Sequence, residues 1–308
     1  MLVSVICLCH NHAPYVKEAI FSVLQQSYRP IELIVVDDAS TDGSKEIIRE
    51  IINKNPEIQF INIAKNVGNC KAFNLGFKLS KGEYILDLAA DDVFIFDRIK
   101  KQIEEFKNID PTYGVVYSDA LYIDEFGNPI RKHADRFKYQ PSGDIYQDLV
   151  EKYFICPPTM MIKREVLETL GGYDETLTYE DFDFWVRSSR IYKYHYLNEI
   201  TTKKRELANS HGSKFLSKAN KIHDSTFAIC KKIAELNRNE REAKALAKRI
   251  FTEIKLGFLT ENFDLVGKYA ILFRKLEASP KLFRWQISVF EILAKLKIRV
   301  FWVYRLML

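Results

Sequence analysis

Cysteine is scarce in this 308-residue chain: Cys7, Cys9, Cys70, Cys156 and Cys230 make five, an odd number at wide spacing. That pattern does not suggest a disulfide framework, and a reducing, cytoplasmic setting is the expectation. No apolar run reaches the ~18 residues a membrane-spanning helix needs. The run from Leu2 to Leu8 is short, is broken by Ser4, and has no basic flank of the kind that opens a secretory signal. Gly-x-Gly-x-x-Gly and Walker phosphate loops are absent, the stretch Gly68 to Gly76 included, which disfavours a nicotinamide-dependent oxidoreductase. Internal repeats and low-complexity stretches are absent too. Most of the chain also lacks an excess of either charge. The net charge is +5, and residues 281–308 alone carry six Lys or Arg against one acid, Glu291. The remainder is therefore balanced, which argues against a nucleic-acid footprint spread over the fold. A basic tail of this kind suits anionic lipid.

What the chain does have is a core. Hydrophobic residues make up 47% and charged residues 28%, a globular balance that excludes extensive disorder. Residues 2–9 read as a buried strand, and Val16, Ala19, Ile20, Val23 and Leu24 follow at helical spacing. Ile31 to Val36 is a second strand, ending at Asp37-Asp38, and Ile47, Ile48, Ile51 and Ile52 form the next helical stripe. Ile58 to Ile63 is a third strand, Asn69 to Ser80 a helix, and Tyr84 to Leu88 a fourth strand ending at Ala89-Ala90-Asp91-Asp92. This alternation implies right-handed crossovers and a mostly parallel sheet with helices on both faces. Ligands of such sheets bind beyond the carboxyl ends of the strands, where Asn11, Asp37-Asp38 and Asp91-Asp92 fall.

The middle reads as α+β. Tyr113 to Tyr117, Thr159 to Ile162 and Tyr192 to Leu197 are strand-like. Arg164 to Leu170 and Asp181 to Arg190 are helical, the former closed by Gly171-Gly172. After about residue 215 the pattern is helical only. Leu282, Val289, Leu293, Leu296, Val300 and Val303 share one stripe there, with Arg284, Glu291, Lys295 and Arg299 opposite. Packing within the protein is the commonest use of such a stripe. The basic charge, Trp285 and Trp302 also fit peripheral membrane contact through 281–308.

The acidic pairs suit a nucleoside-diphosphate ligand. A carboxylate at a strand end, Asp38, can accept from a nucleobase imino N–H. A hard divalent ion bridging two phosphates needs only one or two carboxylates, and Asp91 and Asp92 are placed for it. A third carboxylate, from Glu180-Asp181, can serve as general base. Each pair also has a plainer reading. Asp37-Asp38 can cap a turn, Asp91-Asp92 can be a loop pair, and Glu180-Asp181 can be acids at a helix N-terminus. Their occurrence together, in order and on the expected elements, favours the site. Cys7, Cys9, His10 and His12 look like a metal cluster on paper, but a strand and tight turn are the better reading.

Three segments carry a family resemblance: "VSVICLCHNHAPYVKEAIFSVLQQSYRPIELIVVDDASTDGS", "NVGNCKAFNLGFKLSKGEYILDLAADDV" and "MMIKREVLETLGGYDETLTYEDFDFWVR". They cover residues 2 to about 190, and the chain resembles the inverting family-two glycosyltransferases of GT-A fold, of the bacterial surface-polysaccharide type. The resemblance implies a Rossmann-like nucleotide-binding half at 1–112 and an acceptor half at 113–212. These form one catalytic domain, 1–212, with a C-terminal all-helical region at 213–308. It assigns Cys9, Asn11, Asp38, Asn66, Lys71 and Asp91 to the donor nucleotide. Asp91, Asp92 and His211 fall to Mg2+ or Mn2+, and Asp181 with Glu180 to catalysis. The implied reaction moves one sugar from a UDP- or dTDP-sugar to a glycan or lipid-linked acceptor. The implied location is cytoplasmic, or peripheral at the inner face of the plasma membrane.

The chain departs from the family pattern at three places. Ala89 stands where the acidic motif usually begins with Asp, and Phe73 where many relatives have Arg, with Lys71 nearby as a substitute. The His that usually follows Arg205 is displaced to His211. Ala89 keeps open a catalytically weak nucleotide-sugar-binding protein. A sugar-1-phosphate nucleotidyltransferase is disfavoured, because "CHNHAPY" stands where it would need a Gly-rich basic loop. The Gln-x-x-Arg-Trp signature of processive synthases is absent, "FRWQ" at 283–286 having the wrong order.

Overall fold

The computed structural model describes residues 1–207, 221–276 and 281–299. The strands are β1 (Val3–Cys9), β2 (Ile31–Asp38), β3 (Gln59–Ile63), β4 (Tyr84–Ala89), β5 (Val93–Phe94), β6 (Tyr113–Ile123), β7 (Pro129–Lys132), β8 (Met161–Lys163) and β9 (Lys193–Arg205). The helices through the middle are α1 (Val16–Leu24), α2 (Ser44–Lys54), α3 (Asn69–Leu79), α4 (Arg98–Asn108), α5 (His133–Arg136), α6 (Tyr146–Glu151), α7 (Arg164–Leu170) and α8 (Asp181–Ser188). Four more follow: α9 (Lys221–Leu236), α10 (Glu240–Leu259), α11 (Phe263–Arg274) and α12 (Lys281–Lys295).

The chain divides into two compact units. One holds residues 1–145, 154–176 and 187–207; the other holds 146–153, 177–186 and the described part of 208–308. The helical region thus shares a compact unit with two short middle segments, one of which contains Glu180 and Asp181.

The first unit is built on one nine-stranded sheet in the order β3-β2-β1-β4-β8-β6-β9-β5, with β7 paired to β6. The four strands β3, β2, β1 and β4 are parallel. All seven residues of β1 are buried, as an apolar strand covered on both faces requires. Val3, Val5, Cys7, Leu33, Val35, Leu86 and Leu88 pack with Ile20 and Val23 of α1 and Ile99 and Ile103 of α4. The opposite face carries α3. Gly76 lets that helix approach closely, since a Cβ there would stand 2.6 Å from Ile6 Cγ2. Beyond β4 the sheet turns mixed, because β8 is antiparallel to both β4 and β6.

Two expected boundaries shift. Thr159 closes a 3-10 turn begun by Pro157 rather than a strand, as the missing proline N–H would break a ladder. The strand expected to end at Leu197 continues to Arg205, pairing with β6 through register shifts around Ser118 and Asp119. Asn198 and Glu199 interrupt the apolar pattern, but main-chain pairing carries the strand past them. Among the described residues, no helix is long and apolar enough to cross a membrane.

Candidate functional site

Register builds the site. Cys9 lies opposite Asp37 and Leu8 opposite Ala89, so β1, β2 and β4 end level. Asn11, Asp38 and Asp91 therefore gather along one carboxyl edge of the first unit.

Asp38 is 5% exposed, and its carboxylate accepts from two main-chain donors. Val67 N donates to Oδ1 at 2.8 Å and Gly68 N to Oδ2 at 2.9 Å. Such charge-assisted bonds are the stronger kind, and they hold the loop that enters α3 against the end of β2. Gly68 meets them at φ +87°, a conformation glycine adopts without penalty. The Asp38 carbonyl accepts from His10 Nδ1–H at 2.7 Å and from Asn66 Nδ2–H at 3.4 Å. A carbonyl only accepts, so His10 carries its proton on Nδ1. Asn11 sits at φ +59°, a region Asn tolerates. Its N–H donates to Ser40 Oγ at 2.9 Å, and its Oδ1 accepts from Thr41 N at 2.8 Å. Asp37 is fully buried: Oδ2 accepts from Ser40 N at 3.2 Å, and Oδ1 has no partner among the described residues.

Cys9 is buried 3.9 Å from Ser40 Oγ, and burial pushes its thiol up to about 11. Cys7 is raised by burial as well. Both stay neutral at physiological pH and pack in the core as small apolar groups rather than thiolate ligands. No group of three or more His, Cys, Asp or Glu side chains among the described residues could hold a metal ion.

The two acids after β4 have different surroundings. Asp91 is partly exposed, with Oδ2 3.9 Å from His12 Nε2. Asp92 is 4% exposed, and its Oδ1 accepts from Arg205 N at 2.8 Å. Burial, reinforced by the Asp91 charge, pushes the Asp92 carboxyl up to about 8. Arg205 ties the region together. Its Nε donates to Asp91 O at 3.0 Å, Nη1 to the carbonyls of Asp124 and Glu125, and Nη2 to Glu18 Oε2 at 2.7 Å. The guanidinium also lies 4.6 Å from the centre of the Tyr15 ring. The sequence offered little sign of this role, because the guanidinium's partners other than Glu18 are main-chain carbonyls and a ring. A cavity of about 450 Å3 opens beside it, lined by Pro14, Tyr15, Glu18, Glu125, Phe126 and Arg205.

Ala89 leaves no carboxylate at its own position, but Asp87, two residues back on the same strand, shares its face. Phe73 is buried and stacks on Tyr173 at 4.1 Å, so that position is core. Lys71 is exposed in the first turn of α3.

Glu180 and Asp181 belong to the second unit, where Asp181 opens α8. Their segment is held by helical neighbours within that unit. Thr178 N donates to Ser225 Oγ at 2.9 Å, Tyr179 OH bonds Thr226 Oγ1 at 2.8 Å, and Lys232 Nζ meets Asp183 Oδ1 at 2.6 Å. Arg249 lies about equally over Tyr153 and Phe182, at 4.9 Å and 5.0 Å. His211 falls outside the described residues.

Comparison with known proteins bears on the family and the fold. The profile of glycosyl transferase family 2 matches residues 4–171. An uncharacterized glycosyltransferase of Methanocaldococcus jannaschii is 30% identical over 208 residues, covering 66% of this chain and 70% of its own length. One from Rickettsia conorii is 31% identical over 71% of this chain, which spans only 36% of that relative. The putative teichuronic acid biosynthesis glycosyltransferase TuaG of Bacillus subtilis is 30% identical over 53% of this chain and 63% of its own. Among solved structures, S. aureus TarS 1–349 in complex with UDP-GlcNAc matches with a TM-score of 0.71 at 17% identity, covering 96% of this chain and 88% of that one. The mannosyltransferase PcManGT of Pyrobaculum calidifontis, in complex with GDP-Man and Mn2+, matches at 0.60 and 17%, covering 96% and 86%. At such identity the structural likeness is one of fold, and the fold is of GT-A type.

Proposed function

This chain belongs to glycosyl transferase family 2, and on that premise we propose that it transfers a single sugar from a UDP- or dTDP-sugar to a hydroxyl of a glycan or lipid-linked oligosaccharide, with inversion. The observation that carries this reading is the level ending of β1, β2 and β4, with Asp38 and Asp91 along one edge. The kinship with TuaG supports a surface polysaccharide as the product. We assign donor binding to residues 1–112 and acceptor binding to 113–212, at the cytoplasmic side of the envelope.

In this reading Cys9, Asn11, Asp38 and Asn66 line the nucleoside, and Lys71, exposed at the start of α3, reaches a phosphate. Asp91 fits a hard divalent ion, Mg2+ or Mn2+, because such ions need only one or two carboxylates when phosphate oxygens complete the shell. The ion would neutralise charge on the departing diphosphate. Asp92, buried and bonded to Arg205 N, serves the site by holding the end of β4 in place. Asp181, with Glu180 beside it, is the general base. Its carboxylate takes the acceptor hydroxyl proton while the acceptor oxygen bonds to the anomeric carbon. The bond from that carbon to the diphosphate oxygen breaks on the opposite side, and its electron pair leaves with the diphosphate. His211 is assigned to the same diphosphate region.

The test is a panel of nucleotide sugars in a thermal-shift screen, followed by transfer and donor-hydrolysis assays with added Mn2+. Asp181→Asn should abolish transfer while nucleotide binding stays within about twofold, since it removes only the base. Ala89 favours a second reading, a protein that binds nucleotide sugar without turning it over. Binding without hydrolysis or transfer in the native protein would decide for it.

A further inference from the structure

Helix α12 has two apolar faces, and among the described residues the fold uses one. On the first, Ile287 and Ala294 are buried. Phe283 of this face stacks on Phe251 at 4.5 Å, and Phe290 meets Phe258 edge-on at 5.4 Å. These contacts join α12 to α10 within the helical unit. On the opposite face Trp285, Val289, Ile292 and Leu296 are 60%, 40%, 57% and 67% exposed. Their spacing of four, three and four residues keeps all four within about 60° of arc at ~100° per residue. Val289 and Leu296, expected on one stripe from sequence, both point outward.

Four exposed apolar side chains gathered on one helix face mark an interaction surface. The charge around it identifies the partner. Arg284 and Lys295 are exposed on one flank of the stripe, and the exposed Lys297 and Arg299 follow it. The one acid of α12, Glu291, is turned to the Arg274 guanidinium and is only 14% exposed. Arg299 Nε lies 4.0 Å from Glu261 Oε2, and Glu291 is turned to Arg274, so among the described residues a second copy docking through this face would set Lys295 and Lys297 of each copy together, an arrangement that costs affinity. An anionic lipid surface offers what the face needs: hydrocarbon depth for the stripe and diffuse negative charge for its flank. Fifteen residues make a helix of only about 22 Å, and none of the described helices can span a bilayer, so the helix would lie in the plane of the interface.

We propose that the Trp285–Leu296 face of α12 docks in plane on an anionic lipid surface. This stands apart from the donor chemistry and does not depend on it. The experiment is co-sedimentation of the full chain with vesicles of phosphatidylcholine alone and of equal parts phosphatidylcholine and phosphatidylglycerol. The native protein should pellet with the mixed vesicles, bind neutral ones weakly, and be partly released by salt. The triple variant Trp285→Ser, Ile292→Ser, Leu296→Ser should lose about tenfold or more of that binding, with an unchanged thermal midpoint because all three side chains are exposed. Lys295→Glu with Lys297→Glu should weaken binding to mixed vesicles and leave neutral vesicles unaffected. The proposal is overturned if the native chain ignores the anionic vesicles or if the triple variant binds them equally. It is also overturned if sedimentation equilibrium shows a dimer that the triple variant dissolves, which would make the occupant a second copy.

Discussion

Asp92 Oδ1 accepts a hydrogen bond from Arg205 N at 2.8 Å, joining the end of β4 to the end of β9 across 113 residues of chain. Among the described residues the carboxylate of the neighbouring acid, Asp91, makes no such link and faces His12 instead. Two adjacent aspartates thus have separable duties. Asp92→Asn keeps an acceptor oxygen and should retain donor turnover within about tenfold, whereas Asp91→Asn should lose about a hundredfold or more at saturating Mn2+. Asp92→Ala strands a buried N–H and should cost about 1–3 kcal/mol in urea unfolding. Equal kinetic losses in both Asn variants would contradict the division.

Asp38 has both a structural and a proposed binding duty, and one substitution separates them. Asp38→Asn leaves one carbonyl oxygen for two main-chain donors, Val67 N and Gly68 N. It should therefore destabilise by about 1–3 kcal/mol and weaken UDP binding by calorimetry. If stability falls while UDP affinity does not, the carboxylate serves the loop alone.

His133 makes the folded state sensitive to acid. Its Nε2–H donates to Phe154 O at 2.6 Å, and Nδ1 lies 3.1 Å from Tyr122 OH. Burial holds the imidazole below its ordinary value. Because the folded pKa is depressed, the unfolded chain binds the extra proton first as pH falls. The contribution is whole above about 6.5 and declines as pH drops through the window below it. His133→Gln should flatten the dependence of the urea midpoint between about pH 7 and about pH 5 relative to the native chain. Parallel profiles would refute this.

Arg249 is the cation paired with Glu253, one of the buried carboxyls of the second unit. Nε donates to Val150 O at 3.0 Å, and Nη1 stands 3.5 Å from Glu253, itself 5% exposed. Arg249→Leu leaves that carboxyl alone and should cost about 3–5 kcal/mol. Adding Glu253→Leu should recover much of the loss in thermal unfolding.

Much of the first unit was legible in the sequence. The apolar runs at β1, β2 and β4, the helical spacing of α1, α2 and α3, and the acids at strand ends are all local signals. Local periodicity is set by burial on a repeating backbone. Less legible were the strand continued past Asn198 and the turn at Pro157, where pairing partners far along the chain decide. Most duties of Arg205 were hidden because, Glu18 and Asp92 aside, its partners are main-chain carbonyls and a ring, which leave no complementary residue type to find.

Residue order alone was enough to put carboxylates beyond parallel strands, to exclude a spanning helix among the stretches read, and to mark residues 281–308 as basic. Only the tertiary structure decided which aspartate faces inward at 91–92, that Phe73 stacks on Tyr173, that 177–186 joins the helical unit, and which face of α12 is left over. The reason is physical. Periodicity tells which side chains share a face, but not what that face meets; burial and hydrogen bonding are properties of the assembled neighbours, and those come from distant parts of the chain.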